Sequence, residues 1–511
     1  MSNRWFQVLA KGESPDPKGY DAYIAAVETR AGLAQWSAVL PSHLAEADRK
    51  TILDFAKRID SKPEAGKMLS FDPKPLHRWT LVAIDKDQTM FQLLGLARQL
   101  MKPLKDLACR RILIDLRQLG QTQVLPFIDA VVAAQRTLQF KAPKYQQKPV
   151  DSKAAPATRL DLLLSADQDR EAALQRAQAV DANAAAANEA RYLIMQAGND
   201  LTPKRYVATL KKLATEGGLG FEFISQKKLQ TLGAGAFLAV AQGSAHEDAG
   251  IVKLTYEPTK KKGIKLLCLV GKGITFDTGG TNLKSAAYMW GMHRDMAGSA
   301  VAYALVQLAS REKWPMRVTA YLAIADNATG SRAYRQNDVV TALSGKTIEI
   351  VHTDAEGRMV LADTLHLAAK EKPDLILDFA TLTGACVAAI STVYAGAFTN
   401  RPAWHPAIIS AGAATGERLW PFPLDPDFGE CLKSDIADIK QCRLTGGVDH
   451  IEAAIFLQEF VGKDVPWIHL DLAAAENSGG LAHVDTEVTG FGVRVGERLI
   501  KALLLESEKS S

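Results

Sequence analysis

Short apolar runs separated by stretches of helical periodicity recur along the chain, and their alternation predicts an α/β protein in two parts. In the first part, Trp79 to Ile84 and Arg111 to Leu116 read as strands, and Phe91 to Met101 as a helix. From Lys141 to Ala157 the composition shifts to Lys, Pro, Gln and Ala, which predicts a surface connection. After a further apolar run at Leu160 to Leu164, Gln168 to Met195 is Ala-rich, regularly charged and almost free of breakers. It predicts one long helix joining two domains. The expected organisation is an N-terminal α/β domain over 1–165, a linker helix over 166–187 and a larger C-terminal domain over 188–511.

In the second part, compact runs at Ile264 to Val270, Arg317 to Ala325, Leu375 to Phe379 and Trp467 to Leu470 alternate with amphipathic stretches such as Ala297 to Leu308 and Glu452 to Val461. A mostly parallel or mixed sheet covered by helices follows, with ligands expected beyond the carboxyl ends of its strands. No internal repeat is evident, and the basic run Lys260 to Lys262 reads as a solvated turn.

Composition narrows the classes. With 511 residues, 47% hydrophobic and 23% charged, the chain can bury more than one core. A net charge of +4 from 61 basic and 57 acidic residues is too balanced for a protein whose main partner is nucleic acid or an anionic membrane. The five cysteines, Cys109, Cys268, Cys386, Cys431 and Cys442, show no paired spacing, so neither a disulfide framework nor a thiolate zinc site is suggested and a reducing cytoplasm fits. Neither a signal peptide nor a membrane span is expected.

Three segments place charge where strands end. Val270 to Lys284 reads as a buried strand running into a glycine-rich loop that holds Lys272, Asp277 and Lys284. Gly271, Gly273, Gly279 and Gly280 would permit tight folding around a small site. A phosphate-cradling loop fits poorly, because Lys272 is followed by Gly273 and not by Ser or Thr. In Met292 to Ala300, Asp295 precedes an apolar helix, where a charge satisfying the helix dipole is the competing reading. In His352-Thr-Asp-Ala-Glu-Gly-Arg358, Asp354 and Glu356 alternate, so in extended backbone they project to one side, with Arg358 following there.

Four carboxylates without thiolates point to oxygen-preferring divalent cations, or to zinc in a carboxylate-rich pair. Two adjacent dications would share a bridging water acidified to near neutrality. Beside them Lys272 could be driven to the neutral amine and ligate, while Lys284 stays cationic and steadies an oxyanion. The residues by themselves therefore read as a metal-assisted hydrolase.

From about Asn188 to the C-terminus the chain resembles the leucyl aminopeptidase family. The family's Asn-Thr-Asp-Ala-Glu-Gly-Arg-Leu hallmark is seen here as His352-Thr-Asp-Ala-Glu-Gly-Arg-Met359. The likeness continues in Gly271 to Lys284, Asp295-Met296, Ala380-Thr-Leu-Thr-Gly-Ala385 and Trp467-Ile-His-Leu-Asp471. It implies that 188–511 is a catalytic metallopeptidase domain cutting the N-terminal peptide bond of peptides with a metal-bridging hydroxide. Lys272, Asp277, Asp295 and Glu356 would bind the tighter metal, and Asp277, Asp354 and Glu356 the exchangeable one, manganese or zinc. Lys284 would hold the substrate carbonyl oxygen, and Arg358, with the backbone of Leu382 to Gly384, a bicarbonate that relays protons. The side-chain pocket would comprise Met292, Thr381, Gly384 and Ala473, with Leu382 a further substrate-binding residue. The same likeness implies a homohexamer in the cytoplasm.

Departures from the family pattern are His352 for Asn, His293 where Lys is common, Thr278 for Ser, and Ala297 and Ser299 in a small-residue run. For both histidines a hydrogen-bonding or packing role is expected over direct metal ligation. Glu476 falls where the pocket usually has an apolar residue, so it either shifts preference towards basic or polar first residues or turns to solvent. Two rival readings are a DNA-binding or architectural protein and an inactive scaffold. The first lacks a basic stripe with interleaved aromatics, and the second must explain why the full set of carboxylates and lysines is present.

Overall fold

A computed structural model describes residues 5–9, 19–29, 46–61, 66–71, 78–147, 158–258 and 263–506. The basic run at 260–262 and residues 148–157 of the expected connection lie outside them. The chain forms two compact units, and the helix Arg170–Ile194 contributes its first part to the smaller and its end to the larger.

In the smaller unit six strands form one sheet: β1 (Phe6–Leu9), β2 (Ala22–Glu28), β3 (Met68–Phe71), β4 (Arg78–Ile84), β5 (Arg111–Gln118) and β6 (Arg159–Leu163), in the order β1-β6-β5-β2-β4-β3. All neighbours are parallel except β3 and β4. Because the central strands are covered on both faces, their apolar runs are nearly continuous: Ala22 to Val27 and Trp79 to Ile84 are buried throughout.

The larger unit contains β7 (Gly220–Ser225), β8 (Gly250–Tyr256), β9 (Leu266–Asp277), β10 (Arg317–Asn327), β11 (Val339–Thr341), β12 (Thr347–Glu349), β13 (Leu375–Ala380), β14 (Ala395–Thr399), β15 (Leu419–Pro421), β16 (Ile439–Lys440) and β17 (Trp467–Asp471). Eight of them form a mixed sheet, β15-β14-β17-β13-β9-β10-β8-β7, parallel across its centre from β17 to β10 and antiparallel at β14/β17, β10/β8 and β8/β7. Helices Ala297–Glu312 and Glu356–Lys370 bury most of their residues. Among the described residues no helix is long and apolar enough to cross a membrane.

Two local expectations need correction. The strand expected to end at Val270 continues to Asp277, so Lys272 and Asp277 sit on β9 itself and the loop begins only at Thr278. The residues 352–356 are not extended: a turn carries Asp354, and Glu356 opens the helix Glu356–Lys370. Helix formation is the stronger local tendency there, since Met359 to Ala362 and Leu365 must bury one face against the core.

Candidate metal centre

The carboxyl ends of β13, β9 and β10 lie side by side, with Asp277 opposite Asn327 in the parallel register. There the chain gathers its acids. Asp277, Asp354 and Glu356 each offer an oxygen within 4.8 Å of the others. Asp295 completes the set through Lys272, whose ammonium lies 2.7 Å from Asp295 and 2.8 Å from Glu356. It also donates to the carbonyl of Thr381 at 3.0 Å. Lys284 reaches in from the other side, 2.9 Å from Asp277 and 2.5 Å from Asp354.

Asp295 is not serving the helix that follows it, because its carboxylate accepts from the Thr381 hydroxyl at 2.6 Å and faces Lys272. Gly279 and Gly280 take left-handed backbone, φ +85° and +65°, so the chain can turn at once from the end of β9 towards Lys284. At Gly357 a Cβ would fall 2.8 Å from the Lys272 ammonium and 2.9 Å from a Leu382 methyl, so only glycine lets the helix start close over the lysine.

Four carboxylates face two ammonium groups, an excess of negative charge in a mostly buried site. Burial, then Asp277, pushes the Glu356 carboxyl up to about 8. Burial likewise raises Asp295 to about 6 despite the opposing pull of Lys272. Burial alone would depress Lys272, but Asp295 and Glu356 outweigh it and hold its ammonium well above the ordinary range. Crowded carboxylates that take up protons so readily suit divalent cations, which would replace protons and lysine charge as the compensating positive groups.

The other expected residues are distributed around this cluster. Thr381, Leu382 and Gly384 follow the end of β13, Ala473 lies in the turn after β17, and Met292 is in the 3₁₀ turn before Asp295. Arg358 does not project to the same side as Asp354. It is buried in the helix, with Nη2 donating to Asp449 at 2.7 Å and Nη1 to the Gln441 carbonyl at 3.2 Å. The amides of Leu382 and Thr383 donate to Asp471 at 3.1 and 3.4 Å. The groups that the resemblance assigns to bicarbonate thus have protein partners, while Arg358 Nε is buried without one.

The catalytic domain of the cytosol aminopeptidase family matches residues 188–495. The chain belongs to the cytosol aminopeptidase family. A probable cytosol aminopeptidase of Streptomyces avermitilis is 34% identical over 502 residues, covering 96% of this chain and 92% of the relative. One from Solibacter usitatus is 42% identical over 320 residues, 62% of this chain and 65% of the relative. Among solved structures, the bottromycin maturation enzyme BotP in complex with Mn superposes with a TM-score of 0.76 at 28% identity, over 94% of this chain and 99% of that one. A mutant of tomato leucine aminopeptidase, at 24% identity and a TM-score of 0.81, shows the same fold. As a family member the chain is a metal-dependent aminopeptidase, a hydrolase acting on peptides.

Sequence reasoning missed several residues that hold this cytosol aminopeptidase site in shape. Asn327 donates to Asp277 at 2.8 Å and to the Thr353 carbonyl at 3.1 Å, and the Tyr334 hydroxyl donates to that carbonyl at 2.7 Å. Thr353 in turn donates to the Gly279 carbonyl and accepts from the Asn282 amide, tying the two acidic loops together. Asn327 was findable, as a polar residue at the carboxyl end of an apolar strand. Tyr334 was not, since nothing local distinguishes it, and Thr353 stands inside the His352 to Met359 motif without a role that the motif itself reveals. His352 Nδ1 accepts from the Asp354 amide at 3.3 Å, which orients the turn.

Proposed function

We propose that Lys272, Asp277, Asp295, Asp354 and Glu356 hold two divalent cations, manganese or zinc, and that the site removes the first residue of peptides. The observation carrying this reading is the convergence of Asp277, Asp354 and Glu356 on one point, with both lysines drawn into the same cluster. Bound dications supply an acidified water and polarise the carbonyl to be attacked. The manganese complex of BotP supports that metal.

The two lysines differ in what they can do. Lys272 is 3% exposed and its polar contacts are acids and a carbonyl, so it would hold a cation, as a neutral amine. Lys284 is 14% exposed and can meet a substrate oxygen, steadying charge as it develops there. Asp295, buried beside Lys272, would receive the free α-amine, which would restrict cutting to the first bond. Bicarbonate at Arg358 belongs to the same family reading, but Asp449 engages the arginine's Nη2 and Asp471 the amides of Leu382 and Thr383, so these donors do not fit it as they stand. A homohexamer, which the family resemblance implies, and a cytoplasmic location, which the name of the cytosol aminopeptidase relatives supports, complete the proposal.

Chelation should abolish hydrolysis of aminoacyl amides and added manganese or zinc should restore it. Undiminished turnover in protein shown by elemental analysis to be metal-free would overturn the assignment.

A further inference from the structure

Residues 283–290 leave the metal centre at one end and return to it at the other. At the first end the Lys284 amide donates to the Thr278 carbonyl at 2.9 Å, and its ammonium sits between Asp277 and Asp354. At the second, Gly291 at φ +91° turns the chain into Met292–Arg294, and the next residue, Asp295, pairs with Lys272. Between these anchors the only regular structure is one helical turn, Ala286–Met289, none of whose residues is buried.

This arch carries Leu283, Tyr288 and Trp290, which are 61%, 78% and 85% exposed. Tyr288 and Trp290 are the two most exposed large hydrophobic side chains among the described residues. Apolar groups concentrated this way mark a surface that something else covers. The exposure of the charged cluster indicates what. Glu356, Lys272 and Asp295 are 2%, 3% and 8% exposed, whereas Lys284 and Asp354 are 14% and 28%. Lys284 and Asp354 thus mark the more open side of the cluster, where the arch begins and where the chain beyond the bond being cut has room to depart.

We infer that Leu283, Tyr288 and Trp290 form an apolar rim that grips the residue immediately after the scissile bond and favours bulky apolar side chains there. This rests on the aminopeptidase reading of the metal centre and adds a specificity on the leaving side of the substrate.

The test uses the full chain loaded with manganese and three substrates that share a first leucine: leucine amide, Leu-Gly and Leu-Phe. Wild type should prefer Leu-Phe to Leu-Gly in kcat/KM, mainly through KM. Trp290→Ala combined with Tyr288→Ala should cut that ratio by about tenfold, the effect of losing two largely exposed aromatic contacts, and Trp290→Phe should retain most of it. An unchanged ratio, or equal losses on all three substrates, would overturn the rim. Equal losses accompanied by a smaller mass in sedimentation would instead assign the patch to contact between copies of this chain. Wild type inactive towards leucine amide would overturn the aminopeptidase reading beneath it, a failure visible before any variant is made.

Discussion

At the residue scale, the two site lysines differ in surroundings more than in charge. Lys272 comes from inside a strand and is enclosed by acids, whereas Lys284 follows a glycine turn and reaches the more exposed side. Lys284→Ala is therefore expected to lower kcat by about 10²-fold while metal content stays, and Lys272→Ala to lose metal. Elemental analysis alongside turnover decides; metal lost from the Lys284 variant would exchange the two roles. Glu476 is neither bare in a pocket nor free in solvent. Its carboxylate lies 2.7 Å from Arg294, which also holds Glu487 at 2.9 Å, and Arg294 is the neighbour of Asp295. Paired to a residue adjacent to Asp295, Glu476 is expected to bear on the choice of first residue, so Glu476→Met should raise the kcat/KM ratio of leucine to lysine substrates by about tenfold. The same ratio in both proteins would remove Glu476 from the specificity of the enzyme.

Among elements, burial forces helix ends to find unusual partners. The helix Gly235–Ala241 starts after Ala234, which has no capping side chain, and one of its orphan amides is met from another helix: Asp363 accepts from Phe237 at 2.8 Å, and its other oxygen accepts from the Leu343 amide, outside that helix, at 2.7 Å. Fully buried, Asp363 has its carboxyl raised from 3.8 to about 6 by loss of water. A folded-state value above the unfolded one means the folded chain binds the proton more tightly. This contribution to stability is complete below about pH 4 and lost as pH rises through 6, an effect of about 3 kcal/mol. The thermal midpoint of wild type minus that of Asp363→Asn should therefore shrink between pH 4 and pH 7. A difference independent of pH would show that Asp363 does not titrate in this window.

For the whole molecule, the near balance of 61 basic and 57 acidic residues conceals a local excess of carboxylate at the carboxyl ends of the central strands. Divalent cations held there would relieve it and would need the folded chain to gather their ligands, so manganese at 100 times its Kd should add about 2.7 kcal/mol to stability and raise the melting temperature. In Glu356→Ala the rise should be largely absent, and a full response there would place the binding elsewhere. Periodicity alone identified the α/β class, the strands Arg78–Ile84 and Arg317–Asn327 to within two residues, and the long helix Arg170–Ile194, because burying a regular face imposes a regular pattern. The acids and lysines were also legible, since charge at the ends of apolar runs has few structural uses. Their arrangement was not. That Glu356 opens a helix, that Arg358 turns to Asp449, and that Asn327, Thr353 and Tyr334 lock the acidic loops depend on partners up to 91 residues apart in sequence. Such contacts form only when the strands stand side by side, and hydrogen bonds across that distance leave no local pattern to read.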